Sequence, residues 1–350
     1  MFVVILISLE ILVRVWGYSQ RYFYDPMYMP YGKSPEIPYV LKPNLQHVRA
    51  HGNIRINTDA LGLRSPVPAR TYGNKQPGEY RLAFVGDSVT FGVGVPTGET
   101  YPEIVEKSLN YLQPYCQVKV FNFAVSSYSL KEMTATLKYR VPEVSPDLVV
   151  MGIVIDDFDT NRTPKVDQYG YNTHGSSSKL INKFNTLKLI LRNIHLSYLI
   201  RDLLSRTMMH QEKKYDSRNG KLAPLVANSY QYIKDFKEIA LEHNYKYLIV
   251  TLPSIEGDGS QFIEIINKFK NDQINYFDTS FITPLFTAKQ YHATTYDWHP
   301  SALVHQKIGE MLSAYILNNF LVNACPKKLA HPYPDLPNRK YSRHALTCEF

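Results

Sequence analysis

Tyr80-Arg-Leu-Ala-Phe-Val-Gly-Asp-Ser-Val-Thr-Phe-Gly-Val-Gly-Val95 decides how the rest of this 350-residue chain is read. A short apolar run, Leu82 to Val85, is long enough for a buried strand. It meets Gly86, then Asp87-Ser88, then a Gly-rich segment leading into a helix. A strand that turns sharply into a helix exposes a serine hydroxyl at the edge of a sheet, where helix amides face developing negative charge. Gly-Asp-Ser is also ordinary turn chemistry, so Ser88 means catalysis only if the chain supplies a base and oxyanion donors elsewhere.

Outward from this stretch, the pattern alternates strand and helix. Thr100 to Leu112 reads as a helix, Val118 to Phe123 as a second strand ending in Ala124-Val-Ser-Ser-Tyr-Ser129, and Leu130 to Arg140 as the next helix. Pro146 to Gly152 is an almost unbroken apolar run, as a strand buried on both faces should be, and it runs into Ile153-Val-Ile-Asp-Asp157. The rhythm breaks over residues 158–222, where Asp159 to Ser178 is loop-like and Lys179 to Arg206 has helical periodicity, so an inserted helical lid or cap is expected. It resumes with a helix at Ala227 to Asn244, a strand at Tyr247 to Leu252, a helix at Gln261 to Lys270 and a strand at Ile274 to Phe277. Tyr296-Asp-Trp-His-Pro-Ser301 precedes a closing helix over residues 302–321. The fold class expected is α/β: a three-layer α/β/α sandwich on a mainly parallel sheet, with ligands bound at the carboxyl ends of the strands.

Three further regions flank this core, which is set at 78–322. Residues 1–16 are almost wholly apolar, with Glu10 and Arg14 on one helical face. They are short for a bilayer span of about 20 residues, yet they read as a membrane anchor with Trp16 and Tyr18 at the interface. Residues 17–77 are rich in Tyr, Pro and Asn and form an extension packed on the core, with one or two short strands in Asn53 to Asn57. Arg64 within it reads as part of a structural ion pair in preference to a site residue. Residues 323–350 are a Pro-rich basic tail without periodicity. The formal charge of +8 comes from scattered Lys and Arg, which with no recognised motif argues against nucleic-acid binding. Of three cysteines, none has metal spacing, and Cys325 and Cys348 are the pair expected to bridge in an oxidising compartment.

A serine on an early strand-to-helix turn, with Asp and His just before the last helix, is what nucleophilic acyl transfer needs. The His takes the Ser proton, and the carboxylate holds its tautomer. Here the chain resembles the SGNH or GDSL hydrolase superfamily over roughly residues 78 to 322, and its anchor and extension are similar to membrane-tethered bacterial members. Gly86 to Val95 looks like the first block, GDSxTxGxG; Asn122 to Ser129 resembles the second, NxGxxGxS. Gly152 to Asp157 stands at the third, which ends in Asn-Asp, and Asp297-Trp-His299-Pro-Ser301 resembles the last. The resemblance implies a flavodoxin-like sandwich and an esterase with nucleophile Ser88, base His299 and orienting carboxylate Asp297, needing no cofactor or metal. Its oxyanion donors would be the Ser88 amide, a second-block amide and a third-block side chain. The substrate it implies is an acyl ester, for a tethered enzyme an O-acylated envelope glycan. The alternatives are an O-acyltransferase to a sugar hydroxyl and an impaired fold that binds a glycan or a protein.

The blocks depart from the pattern at three places. The Asp-to-His step is two residues where three is usual. Ser127 stands where the second-block Gly belongs, so its backbone must do without Gly's freedom. Asp156 falls where an Asn amide should donate, and an ionised carboxylate cannot donate. Three readings stay open: Asp156 is held protonated by burial and by Asp157, the donor comes from elsewhere with Asn161 the candidate, or the enzyme is slow or inactive. Asp87 is expected to brace the loop, and His305 to be structural.

Overall fold

The computed structural model describes residues 2–18, 22–174, 191–209, 222–254, 259–294, 297–322 and 324–325. Its centre is an eight-stranded sheet made of β1 (Val48–Ala50), β2 (Ile54–Thr58), β3 (Arg64–Ser65), β4 (Glu79–Val85), β5 (Gln117–Asn122), β6 (Leu148–Ile153), β7 (Lys246–Thr251) and β8 (Tyr276–Asp278). The spatial order is β8-β7-β6-β4-β5-β3-β2-β1. The strands from β8 to β5 are parallel to one another, and β3, β2 and β1 continue the same sheet antiparallel.

Every residue of β4 is buried, and successive side chains point to opposite faces. Leu82 and Phe84 join a core with Val118, Val150, Leu248 and Val250, closed by helices Tyr101–Leu112 and Ala302–Ile316. Ala83 and Val85 join the opposite core with Phe121, Val149, Met151 and Ile249, closed by Leu130–Tyr139, Leu222–Glu242 and Ile263–Asn271. The result is the α/β/α sandwich expected, with a mixed but mostly parallel sheet. Because β5 lies on one side of β4 and β6 on the other, the strand order reverses around β4. A crevice at the carboxyl ends of the strands opens at such a reversal.

The N-terminal extension is part of this sheet. Its strand β3 pairs with β5 through Arg64 and Asn122, and its hairpin Tyr28–Pro30 with Tyr39–Leu41 lies farther along the chain's start. Tyr28 and Tyr39 are fully buried; the Tyr39 ring packs against Tyr28 on one side and against Tyr128, beyond β5, on the other. Tyr39 Oη donates to the Ser126 carbonyl at 2.8 Å, and Tyr128 Oη donates to the Tyr39 carbonyl. These rings hold the extension onto the loop after β5.

One expectation, the membrane anchor, finds no support, and another, the cysteine pairing, is corrected. Residues Phe2–Trp16 form a 15-residue helix, and among the described residues no helix is long and apolar enough to cross a membrane. The helix lies against His195–Met209. Glu10 accepts from the amides of His195 at 3.0 Å and Leu196 at 2.7 Å, capping that helix, while Arg14 pairs with Glu10 at 2.7 Å and donates to the Asn193 carbonyl. The two charges that mark the segment therefore have protein partners. Cys325 is bonded to Cys116, not to Cys348, with Cα atoms 5.7 Å apart. The bridge ties the chain just after the helix Tyr101–Leu112 to the chain just after the last helix; Cys348 lies outside the described residues.

In the insertion, Asp159 to Ser178 holds a small hairpin, Pro164–Val166 with Asn172–His174. The expected start of its helical part, 179–190, and the polar stretch 211–221 lie outside the described residues.

Candidate active site

Ser88 is the first residue of a single helical turn, Ser88–Phe91, that leaves the end of β4. Asp87 caps it: Oδ1 accepts from the Val89 amide at 2.9 Å, satisfying one of the donors a helix start leaves unpaired. Gly92 ends the turn at φ 85°, a left-handed conformation that favours glycine. Its neighbourhood is filled by Arg64 from the extension. The buried guanidinium donates from Nη1 to the carbonyls of Phe91 at 2.9 Å and Gly92 at 2.6 Å, and from Nη2 to that of Val95 at 2.6 Å. Arg64 is therefore structural, through backbone carbonyls and not through an ion pair.

Asp297 and His299 come from the far end of the chain on one short strand, Asp297–Pro300. Positions i and i+2 of a strand share a face, so the two-residue step delivers both side chains to the same side. Loop meets loop closely here: a Cβ on Gly94 would lie 2.6 Å from Ala293 Cβ and 3.8 Å from Asp297 Oδ2. His299 Nδ1 lies 2.6 Å from Asp297 Oδ1, and its Nε2 lies 2.9 Å from Ser88 Oγ. With Nδ1–H donating to the carboxylate, Nε2 is left to accept the Ser88 proton. Asp87 Oδ2 lies 3.2 Å from Ser88 Oγ. The single hydroxyl proton serves one acceptor at a time, and His299 is the nearer.

Electrostatics fit these contacts. Burial raises the Asp297 carboxyl, but the hydrogen bond and charge of His299 outweigh it and leave Asp297 below its ordinary range. Burial pulls the His299 imidazole down, and the Asp297 hydrogen bond and charge, with Asp87, outweigh that and leave it above the usual value. His305 is fully buried, where desolvation and the Arg64 charge push it down to about 3. Its Nδ1 accepts from the Tyr101 amide at 3.1 Å, so the neutral ring caps a helix start and has no place at Ser88.

The second-block loop carries Ser127 at φ 72°, a left-handed conformation in a residue other than glycine. Asn172 Nδ2 donates to its Oγ at 3.0 Å. Such backbone strain costs about 1–3 kcal/mol. Ser127→Gly removes it but loses the Asn172 contact and loosens the unfolded chain, so urea unfolding should shift by no more than about 1 kcal/mol. Ser127→Val, β-branched at a positive φ, should destabilise by about 2 kcal/mol or more. Equal effects of the two would mean that this conformation is not held in solution.

The third block departs from the reading made of its sequence. Asp156 is exposed; the buried carboxyl is its neighbour Asp157, fully enclosed, with Oδ2 accepting from the Val154 amide at 2.8 Å. Burial and the nearby Asp87 charge push Asp157 well above the carboxylate range, and burial likewise raises Asp87. Asn161 is exposed, and its described hydrogen bond runs from its amide to Asp159 Oδ1 at 3.2 Å. The residue that sequence reasoning missed is Arg162, whose guanidinium donates to the carbonyls of Asp156 and Asp159 and lies 3.6 Å from Asp157 Oδ1. A lone Arg in an aperiodic loop carries no signal that would have found it.

No family model matches the chain, and no curated protein matches it. Among solved structures it is similar to the lipase Lip_vut3 from a goat rumen metagenome, at 14% identity and TM-score 0.42, over 67% of this chain and 96% of that one. It is also similar to a lipase/acylhydrolase from Enterococcus faecalis, at 10% identity and TM-score 0.41, over 72% of this chain and 100% of the other. A catalytic mutant of Axe2, an acetylxylan esterase from Geobacillus stearothermophilus, is similar at 16% identity and TM-score 0.37, over 68% and 93%.

Proposed function

We propose that this chain is a serine esterase that hydrolyses an acyl ester through an acyl-Ser88 intermediate. The observation that carries the reading is the relay Ser88 Oγ to His299 Nε2 at 2.9 Å and His299 Nδ1 to Asp297 Oδ1 at 2.6 Å. Ser88 Oγ attacks the ester carbonyl carbon while its proton passes to His299 Nε2, and the carbonyl oxygen becomes an oxyanion. Collapse breaks the bond to the leaving alkoxide, which takes that proton and departs as the alcohol. Water then attacks the acyl carbon, giving its proton to His299. The second collapse releases the acid and returns the proton to Ser88 Oγ.

An O-acylated glycan outside the cytoplasm is the substrate class proposed. The Cys116–Cys325 bridge supports an oxidising compartment. The second reading, an impaired fold that binds a glycan, is favoured by the Asp87 carboxyl 3.2 Å from Ser88 Oγ and by the buried Asp157 carboxyl coupled to it. Labelling with a serine-directed fluorophosphonate separates the two. The esterase reading expects one label on the native protein, lost in Ser88→Ala and in His299→Ala. An unlabelled native protein that retains a glycan ligand would overturn it in favour of the binding module.

A further inference from the structure

Attack by Ser88 creates an anion beside Asp87, whose Oδ2 is 3.2 Å from Ser88 Oγ, with the buried carboxyl of Asp157 close enough to feel the Asp87 charge. The third-block segment lies against the nucleophile loop: Val85 pairs with Met151 across β4 and β6, and a Cβ on Gly86 would come within 3.1 Å of the Gly152 carbonyl oxygen. Four residues beyond Gly152, in the turn Ile155–Phe158, stands Asp156, an exposed residue whose ionised side chain has no donor to offer. Arg162 is bound to this turn. Its Nη2 donates to the Asp156 carbonyl and approaches Asp157 Oδ1, and its Nε donates to the Asp159 carbonyl at 3.1 Å. Nη1 takes part in none of these contacts, and the side chain is 28% exposed. The guanidinium charge also reaches Asp87, whose Oδ2 is 3.2 Å from Ser88 Oγ.

We propose that Arg162, fixed on the third-block turn by the carbonyls of Asp156 and Asp159, turns its free Nη1 to the oxyanion formed at Ser88 and replaces the amide donor that Asp156 lacks. This rests on the esterase reading. A guanidinium is suited to the place. It stays charged, keeps a planar set of donors, and can be held by some of them while others face the ligand. Its charge also offsets the carboxyls around it, which would otherwise oppose the reaction. Removal of one oxyanion donor costs about 10²–10³ in rate.

The test measures the rate of Ser88 labelling by a fluorophosphonate, whose phosphoryl oxygen occupies the oxyanion position, together with kcat and KM on p-nitrophenyl acetate. Arg162→Gln should slow labelling and kcat by about 10²-fold with little change in KM. In Arg162→Ala, added guanidinium ion should restore a measurable part of the rate, which a purely structural role for the side chain does not predict. Asp156→Asn should reinstate an amide, so that Arg162→Gln in that background loses at least tenfold less than in the native one. If Arg162→Gln does not fold, Arg162→Lys carries the test through the same cycle with Asp156→Asn. A native protein that labels while the folded Arg162 variant labels within threefold of it overturns the proposal and leaves the esterase standing. A native protein that does not label overturns both.

Discussion

Asp297→Asn should lower kcat by about 10⁴-fold while the protein stays folded. The carboxylate holds His299 with its proton on Nδ1, 2.6 Å away, so that Nε2 accepts from Ser88. An asparagine amide offers N–H to the same nitrogen and favours the opposite tautomer, in which Nε2 carries the proton and cannot take another. A pH profile adds a second readout. His299 titrates above its ordinary value because Asp297 outweighs burial, and the base works only when neutral. Activity of the native protein should therefore rise with pH along a limb centred above the usual histidine value of about 6.5. Removing the charge while leaving the burial should move that limb to lower pH. An Asp297→Asn protein within tenfold of native kcat, with the limb unmoved, would show that this carboxylate does not govern His299.

Arg64→Met should destabilise the protein by about 3–5 kcal/mol, since each hydrogen bond from a charged group is worth about 1.5–3 kcal/mol and its loss strands a buried acceptor. The guanidinium joins the carbonyls of Phe91, Gly92 and Val95, and methionine fills the space with no donor. Arg64→Lys keeps the charge but cannot reproduce the planar fork, so it should lie between the two. The measurement is the urea midpoint at constant slope. A loss below about 1 kcal/mol in Arg64→Met would mean that the turn finds other donors.

The parts legible in the sequence are those whose physics is local. Leu82 to Val85 and Leu148 to Ile153 are apolar throughout because both faces of these strands are covered, and that coverage writes itself into composition. Ser88, Asp297 and His299 were found from the residue types that acyl transfer requires and from their order along the chain. What was not legible depends on distant partners. Glu10 and Arg14 interrupt an apolar run, but nothing near them tells that their acceptors and donors lie at Asn193 to Leu196. Cys325 is nearer in sequence to Cys348 than to Cys116, yet two helix ends bring it to the latter. Strand β3 is two residues long, too short for any periodicity, although it joins the extension to the main sheet.

That join bears on how the molecule can be divided. By composition, the natural cut falls near residue 78, where the regular alternation of strand and helix begins. By mechanics, the cut passes through a working part: Arg64, Tyr39 and three sheet strands lie on one side of it, and the turns they hold, at Phe91 to Val95 and at Ser126, lie on the other. For protein engineering, the smallest transplantable unit therefore starts well before the alternation of strand and helix does. A graft begun at residue 78 would carry Ser88, Asp297 and His299 to a new host without Arg64 and Tyr39, which brace the turns beside them.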